Sequence, residues 1–371
     1  MINDIFPQPT IAAVQAAPAY LDRDAGIKKV RDITAQAKEN GADLVVFSES
    51  FIPGFPSWVH MLAPMDQHEL FAKMVQNSIA IPSPAFYELQ QIAKDNDIFL
   101  SIGITEKNPN QSIGVLWNTN LIFDRNGNMI ARHRKLLPTW SEKLIWSFGD
   151  GSTLNVHETE IGRIGALICG ENTNSLAKYA LISQGEQIHL STYPACFPTS
   201  RGSAGGQNYF DTLLVRACSM SYEGKVFTVV SSQALDEQGY EILSNGKKEI
   251  RDLLDKQTYG GSMIVAPSGV ICSDVIRDNR EGIAYAKCDI ATEVALKGVH
   301  DISGSYQRND VFHFEINKAP LEPITIRNDE QNKEYYPYED QSKSDSVLLK
   351  EDSKSNAQLR HLQQFDEVTV E

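Results

Sequence analysis

Cys169 closes an apolar run, Ile164-Gly165-Ala166-Leu167-Ile168, after which the pattern changes from strand-like to helical. Leu176, Ala177, Ala180 and Leu181 recur at helical spacing, Asn172 or Thr173 is placed to cap them, and Gly185 ends the pattern. A cysteine at such a junction is presented on a turn, as hydrolase nucleophiles are, beside a helix N-terminus whose partial positive charge favours the thiolate. The same stretch also fits a small core side chain ending a buried strand, because cysteine is among the most buried residue types. Two further reactive side chains leave strand-like runs. Glu49 comes just after Asp43-Leu44-Val45-Val46-Phe47, and Lys135 follows Met129-Ile130-Ala131-Arg132-His133-Arg134. A cysteine nucleophile needs a base to take its proton and a group that stabilises charge as it develops on the attacked substrate. A carboxylate and an ammonium meet those needs without histidine or metal.

The elements that must hold these groups alternate between strand and helix. Thr10 to Ala17 reads as a strand ended by Pro18. Asp24 caps a helix running through Lys38, with Ile27, Val30, Ile33 and Ala37 on one face and Gly41 as its stop. The continuous apolar run before Glu49 is expected of a strand buried on both faces, and ligands bind at the carboxyl end of such strands. An aromatic, rigid loop from Phe51 to Trp58 follows and suits the lining of an apolar pocket or a buried structural loop. Helices are predicted over about Gln67–Asn77 and Pro84–Asp95, then a strand over Ile98–Ile104. Leu116–Phe123 and Met129–Arg134 form a hairpin about Asn126-Gly127. A helical turn at Thr139–Lys143 and a tight loop at Phe148–Ser152 lead into two strands within Val156–Ile168, which turn at Glu160–Arg163.

Beyond the cysteine, a strand from Gln187 to Thr192 ends in Tyr193-Pro194. A helix rich in small residues runs from about Asn208 to Glu223, and a strand from Val226 to Ser232 follows. Leu235–Lys256 is expected to be an irregular surface excursion. Gly260–Ala266 and Val270–Asp274 make another hairpin, and a strand over Gly282–Asp289 precedes a helix from Ile290. From Arg327 the chain turns polar and acidic with little periodic pattern. The expected division is a domain over residues 1–326 and a tail over 327–371, disordered or packed only in an oligomer.

Composition narrows the setting. With 34 Lys and Arg against 48 Asp and Glu, the formal net charge is −14, and no basic cluster offsets it, which argues against a nucleic-acid partner. No signal pattern opens the chain and no apolar run reaches membrane-spanning length, so a soluble cytoplasmic protein is expected. Cys169, Cys196, Cys218, Cys272 and Cys288 are odd in number and scattered, with neither a CxxC pair nor a zinc-like histidine spacing. They read as reduced thiols, with no metal and no cofactor implied.

Together the three groups resemble the Glu–Lys–Cys triad of the nitrilase superfamily of carbon-nitrogen hydrolases. Val46-Phe47-Ser48-Glu49-Ser50-Phe51-Ile52-Pro53-Gly54-Phe55-Pro56 is similar to its base motif, His133-Arg134-Lys135-Leu136-Leu137-Pro138-Thr139 to its lysine motif, and Leu167-Ile168-Cys169-Gly170-Glu171-Asn172 to its nucleophile motif. The resemblance spans about residues 8–315 and implies a four-layer αββα sandwich of α/β class, followed by a largely irregular tail. The Pro53-Gly54-Phe55-Pro56 loop and the Glu171-Asn172 pair resemble the nitrilase branch, whereas amidases and carbamoylases usually carry an aromatic residue and then Asp after the cysteine. Gly170 departs from the Trp more often found there, which removes a large side chain beside the nucleophile. Glu142, seven residues beyond Lys135, matches a second glutamate that positions substrate and lysine, though a solvated helix-turn carboxylate would look the same. Trp58, Gly170, Glu171 and Tyr193 are the candidate substrate contacts.

The implied chemistry is attack of the Cys169 sulfur on a small-molecule nitrile, with Glu49 as base and Lys135 stabilising the nitrogen, to give the acid and ammonia with amide as a by-product. An amidase or carbamoylase would use the same triad. A Cys–His hydrolase built on His133, His157 or His189, and an inactive relative serving as a scaffold, are the remaining alternatives. The resemblance further implies a homodimer, extended into a higher homo-oligomer or spiral filament. Apolar residues more than half way round the helices bearing Leu176, Ala177, Tyr179, Ala180 and Ile182, and Leu213, Leu214, Ala217 and Cys218, place those helices at its two-fold interface.

Overall fold

Strand side chains alternate between two faces, and here the two faces meet different apolar layers. In the first strand, Ile11 and Ala13 join one buried cluster while Ala12 and Val14 join another. The computed structural model describes residues 6–108, 112–198 and 208–321. In chain order its elements begin β1 (Thr10–Gln15), α1 (Arg23–Glu39), β2 (Leu44–Val46), α2 (His68–Asn77), β3 (Ile79–Ala80), α3 (Pro84–Asp95), β4 (Phe99–Lys107), β5 (Leu116–Phe123) and β6 (Met129–Arg134). They continue with β7 (His157–Thr159), β8 (Gly162–Ile168), α4 (Ser175–Ile182), β9 (Ile188–Tyr193), α5 (Tyr209–Gly224) and β10 (Phe227–Ser232). Last come α6 (Glu237–Ser244), α7 (Lys248–Leu254), β11 (Gly261–Val265), β12 (Ile276–Arg277), β13 (Gly282–Lys287) and α8 (Ala291–Val299).

Two sheets form. One runs β13-β1-β2-β4-β5-β6, with β3 added beside β4, and the other runs β12-β11-β10-β9-β8-β7. Ile11, Leu44, Val46 and Ile122 of the first meet Ile164, Ile188, Leu190 and Val229 of the second in the inter-sheet core. On the far side of the first sheet, Val45, Phe47 and Leu100 pack against Ile27 and Val30 of α1 and Phe86 and Leu89 of α3. On the far side of the second, Leu167 packs against Ala177, Ala180 and Leu181 of α4, and Val230 against Leu213 and Ala217 of α5. The four layers are therefore αββα, as expected.

The strands carrying the reactive residues all point the same way within their sheets. β1, β2 and β4 are mutually parallel, and β6 returns to that direction through two antiparallel steps. β8, β9 and β10 are parallel as well. Side chains close the carboxyl edge between the sheets: Ser231 Oγ and Ser262 Oγ donate to Val14 O at 2.6 and 3.1 Å, and Gln233 Nε2 donates to Glu49 O at 2.7 Å.

Several local expectations are corrected. Asp22, not Asp24, caps α1, its Oδ1 accepting from Ala25 N at 3.0 Å, while Asp24 lies in the first turn. Asn174, not Asn172 or Thr173, caps α4, because residues Cys169–Thr173 wind as a separate 3-10 turn first. Leu235–Lys256 is not irregular but holds α6 and α7, which bury Leu243, Ile250 and Leu254 against Phe55, Trp58 and Trp146. Asn245 and Gly246, both at positive φ, separate the two helices and interrupt the apolar period. The expected hairpin after Gly260 reduces to one bridge, Val265 to Ile271, and β11 pairs instead with β12. Ala177, Ala180, Ile182, Leu213 and Ala217, expected at a subunit interface, are buried within the chain, whereas Leu176 and Val215 stay exposed at 65% and 64%.

The packed chain continues beyond the span of the family resemblance, about residues 8–315. Phe314 and Ile316 lie against the Leu154 and Leu167 cluster, and Leu321 N donates to Asp150 Oδ2 at 2.7 Å. Every described residue lies in one unit, residues 1–336. The expected tail from Arg327 lies outside the described residues. No described helix is long and apolar enough to cross a membrane.

Candidate active site

Glu49 leaves β2 in a segment pressed against β4. A Cβ on Gly103 would stand 2.3 Å from Ser48 O and 2.5 Å from Ser50 N, so only glycine lets the Glu49 segment lie this close. The Glu49 carboxylate is fully buried. Its Oε1 accepts from Asn118 Nδ2 at 2.6 Å and from Lys135 Nζ at 2.7 Å, while Oε2 has no hydrogen-bond partner. Burial pushes the carboxyl up to about 7, against the opposing pull of Lys135 and with a further push from Glu142.

Lys135 reaches the same point from β6, its backbone N–H donating to Asn118 O at 2.8 Å. A Cβ on Gly149 would meet Arg134 O at 2.3 Å, so the loop after the lysine also depends on a glycine. The fully buried ammonium lies 2.7 Å from Glu49 Oε1 and 2.7 Å from Glu142 Oε2. Burial alone would lower the lysine; Glu142 and Glu49 outweigh it and hold the ammonium well above the usual lysine range. Glu142 is no solvated carboxylate. It is fully buried in a 3-10 turn (Trp140–Leu144), where it and Thr139 cap each other reciprocally, Thr139 N donating to Glu142 Oε2 at 2.9 Å. Its Oε1, like Glu49 Oε2, is buried without a partner.

Cys169 stands at the end of β8 with φ 51°, in the left-handed region that a non-glycine residue adopts only under local constraint. The expected α-helix N-terminus is not at the sulfur, because α4 starts only at Ser175. Burial, then the Glu49 charge, push the thiol up, with Lys135 opposing them. Burial and the neighbouring carboxylates thus act against the thiolate that a helix N-terminus at the sulfur would favour. The structure thus brings Glu49, Lys135, Glu142 and Cys169 into one electrostatically coupled group.

The candidate substrate contacts divide. Tyr193 is buried in the cluster that contains Cys169, its hydroxyl accepting from Ser191 Oγ at 2.9 Å. Gly170 sits beside the lysine motif, where an added Cβ would lie 2.7 Å from Thr139 Oγ1, the group that caps Glu142. Trp58 is fully buried among Phe55, Trp146 and Ala195, and its Nε1 has no partner. Glu171 is taken up by the chain itself rather than left for substrate: Oε1 accepts from Leu136 N at 2.7 Å, and Oε2 lies 2.8 Å from Ile168 N and 3.0 Å from His133 Nε2. It ties the lysine and cysteine segments together.

Sequence reasoning missed Asn118 and His60. Asn118 reads as an ordinary polar residue in a strand, and only its register beside Lys135 reveals its role. His60 stacks on Trp140 at 5.7 Å, and its Nδ1 lies 2.6 Å from Ser141 Oγ. Burial and then the Lys135 charge lower the imidazole to about 4, so it is neutral at working pH. Its place after an aromatic loop was the available signal. Two of the three candidate histidines have both ring nitrogens engaged elsewhere, His133 with Thr153 O and Glu171 Oε2 and His189 with Glu186 Oε1 and Asn172 Oδ1. Among the described residues no group of three or more His, Cys, Asp or Glu side chains is arranged to hold a metal ion.

Comparison with known proteins places the chain in a family. A nitrilase of Bacillus sp. (strain OxB-1) is 33% identical over 319 residues, covering 86% of this chain and 91% of that protein. An aliphatic nitrilase of Rhodococcus rhodochrous is 31% identical over 317 residues, covering 85% and 84%. The solved C. elegans NitFhit protein shares the fold with a TM-score of 0.63 at 20% identity, over 84% of this chain and 68% of that one. The carbon-nitrogen hydrolase family profile matches residues 10–297, and with that match the chain belongs to the carbon-nitrogen hydrolase family, as a nitrilase-type hydrolase.

Proposed function

We propose that this nitrilase-type hydrolase converts an organic nitrile to the carboxylic acid and ammonia by covalent catalysis at Cys169. The observation that carries the reading is a buried ammonium held between two buried carboxylates, each with one oxygen left free, in the same charge network as a buried thiol. Glu49 Oε2 takes the thiol proton while the sulfur attacks the nitrile carbon. The carbon–nitrogen triple bond opens to a thioimidate, and Glu49 passes the proton it took to the nitrogen, whose developing charge Lys135 stabilises, so the carboxylate is free again. Glu49 activates a water that adds to the same carbon, ammonia leaves, and a thioester remains. A second water, activated the same way, releases the acid and returns the thiol, so one nitrile and two waters give acid and ammonia. Expulsion of the thiolate instead of ammonia releases the amide. Glu142 fixes Lys135 and borders the substrate, with Trp58, Gly170 and Tyr193 shaping the pocket.

We further assign the chain to a reducing cytoplasm, in keeping with five free cysteines, and to a homodimer or larger homo-oligomer through the outer faces of α4 and α5, where Leu176 and Val215 remain exposed. The tail over residues 327–371 contributes contacts to the larger assembly, and residues 1–326 form the catalytic domain. The test is Cys169→Ala and Cys169→Ser assayed for ammonia release on a panel of nitriles and the matching amides. Both variants should be inactive yet fold normally, and the native enzyme should prefer nitriles. Near-native turnover by Cys169→Ala would overturn the assignment, and a preference for amides would move it to the amidase branch.

A further inference from the structure

Cys169 keeps a left-handed backbone, and such a conformation persists only where the surroundings over-determine it. Two side chains clamp the turn. Glu171 holds one side by accepting from Ile168 N and Leu136 N at 2.8 and 2.7 Å. Asn172 holds the other, its Nδ2 donating to the carbonyls of Leu167 and Cys169 at 3.1 Å each. Both N–H groups of the amide are thereby used, so its oxygen is what faces His189, whose Nε2 lies 2.8 Å away. Nε2 therefore carries a hydrogen. On the other side of the ring, Nδ1 lies 2.8 Å from Glu186 Oε1, so a proton is shared there as well. Glu186 and His189 are fully buried and Asn172 is 2% exposed. Gly165 makes the arrangement possible, since a Cβ there would stand 2.1 Å from Glu186 Oε1.

We propose that Glu186 and His189 are positioning residues for the nucleophile, acting through Asn172 to hold the turn that aims Cys169. The network joins the start of β9 to the turn after β8, and its last hydrogen bond lands on the carbonyl of Cys169 itself. Neither Glu186 nor His189 is needed in the proton transfers of the reaction. A misplacement of the reacting atom by about 1 Å costs roughly a hundredfold in rate, which sets the scale of what their loss should do. The proposal rests on Cys169 being the nucleophile.

His189→Gln and His189→Asn separate positioning from stability. Both place a polar amide in the cavity and both lose the imidazole, but the asparagine is one methylene shorter and does not reach Asn172 Oδ1. In the full-length enzyme, with activity normalised to alkylatable Cys169, His189→Asn should lower kcat about 10- to 100-fold with KM within twofold of native. His189→Gln should keep kcat within about fivefold. Equal kcat values for the two variants would overturn the proposal, whether both are near native or both are low. If neither variant folds, Asn172→Asp decides: it keeps the size but cannot donate to the two carbonyls, and kcat within twofold of native would overturn the proposal, whereas a comparable kcat loss at unchanged KM supports it. Cys169→Ala, run alongside, is inactive if the nucleophile is right, so turnover by that variant would mark failure of the underlying reading instead.

Discussion

Glu49→Gln separates two effects that one carboxylate exerts on the same thiol. Glu49 Oε1 already accepts from Asn118 at 2.6 Å and Lys135 at 2.7 Å, so the oxygen of the substituted glutamine keeps both donors and the amide nitrogen falls where Oε2 now stands. The shape survives, but the free oxygen that accepts the thiol proton is gone. A positioned general base contributes about 10²–10⁴ in rate. Because the proposed mechanism uses Glu49 in both the attack and the hydrolysis, the loss should be at least about a hundredfold, or ~2.7 kcal/mol of barrier. The Glu49 charge also pushes the Cys169 thiol up, second only to burial, and its removal should lower the thiol's titration. The variant should therefore alkylate faster at neutral pH while turning over nitrile far more slowly. In the native enzyme the carboxyl, held by burial at about 7, must be unprotonated to act, so kcat/KM should rise with pH through about 7 and level off above it. Glu49→Gln should lose that limb. The assays are ammonia release and iodoacetamide labelling of Cys169, each across pH 5 to 9. Turnover within a few-fold of native, or an alkylation profile unmoved from native, would refute the reasoning.

Other perturbations test other parts of the structure. Lys135→Arg keeps the charge but forces a planar fork into a space with no exposure between two carboxylates 2.7 Å from the ammonium, so kcat should fall about a hundredfold or more, and activity within a few-fold of native would contradict this. Glu106, which burial alone would push up, is instead held at about 2 by Arg132 and Arg134, below an ordinary value of 4.5. Its ion pairs therefore stabilise the fold fully above about 4.5 and are lost as pH falls towards 2, a contribution of about 3 kcal/mol. In urea unfolding, Glu106→Gln should be less stable by that order at pH 7, with the gap closing in acid; a gap independent of pH would contradict the assignment. Light scattering should find a dimer or larger species for the full chain and a smaller assembly for a chain ending near residue 325, and a monomer in both would remove the subunit interface on α4 and α5.

Much of this molecule was legible in its residues because the relevant signals are local. Continuous apolar runs marked β2 and β8 as buried strands, the Asn126-Gly127 turn paired β5 with β6, and Glu49, Lys135 and Cys169 each stood where such a run ended. Helix caps missed by a residue or two failed on local turns, but the larger failures turned on contacts with another part of the chain. Leu243, Ile250 and Leu254 did not read as helix faces because Asn245 and Gly246 break their period, and burial against Trp58 and Trp146 decides their structure. Glu171 and Asn172 read as substrate contact and helix cap. Tertiary hydrogen bonds recruit them instead, Glu171 to the lysine segment and Asn172 to His189.

The chemistry divides in the same way. Which side chains we propose as nucleophile, base and cation was legible in residue types at strand ends, since a thiol, a carboxylate and an ammonium so placed fit those roles. Their protonation states were not. A helix N-terminus near the sulfur suggested a thiolate, yet α4 begins six residues later, and burial beside two carboxylates makes the thiol harder to ionise. Likewise Glu49 is lifted to about 7 because the fold removes water from it, and the same burial leaves one of its oxygens unpaired. Dielectric environment and charge proximity belong to residues brought together from β2, β6 and β8, and no stretch of sequence contains them.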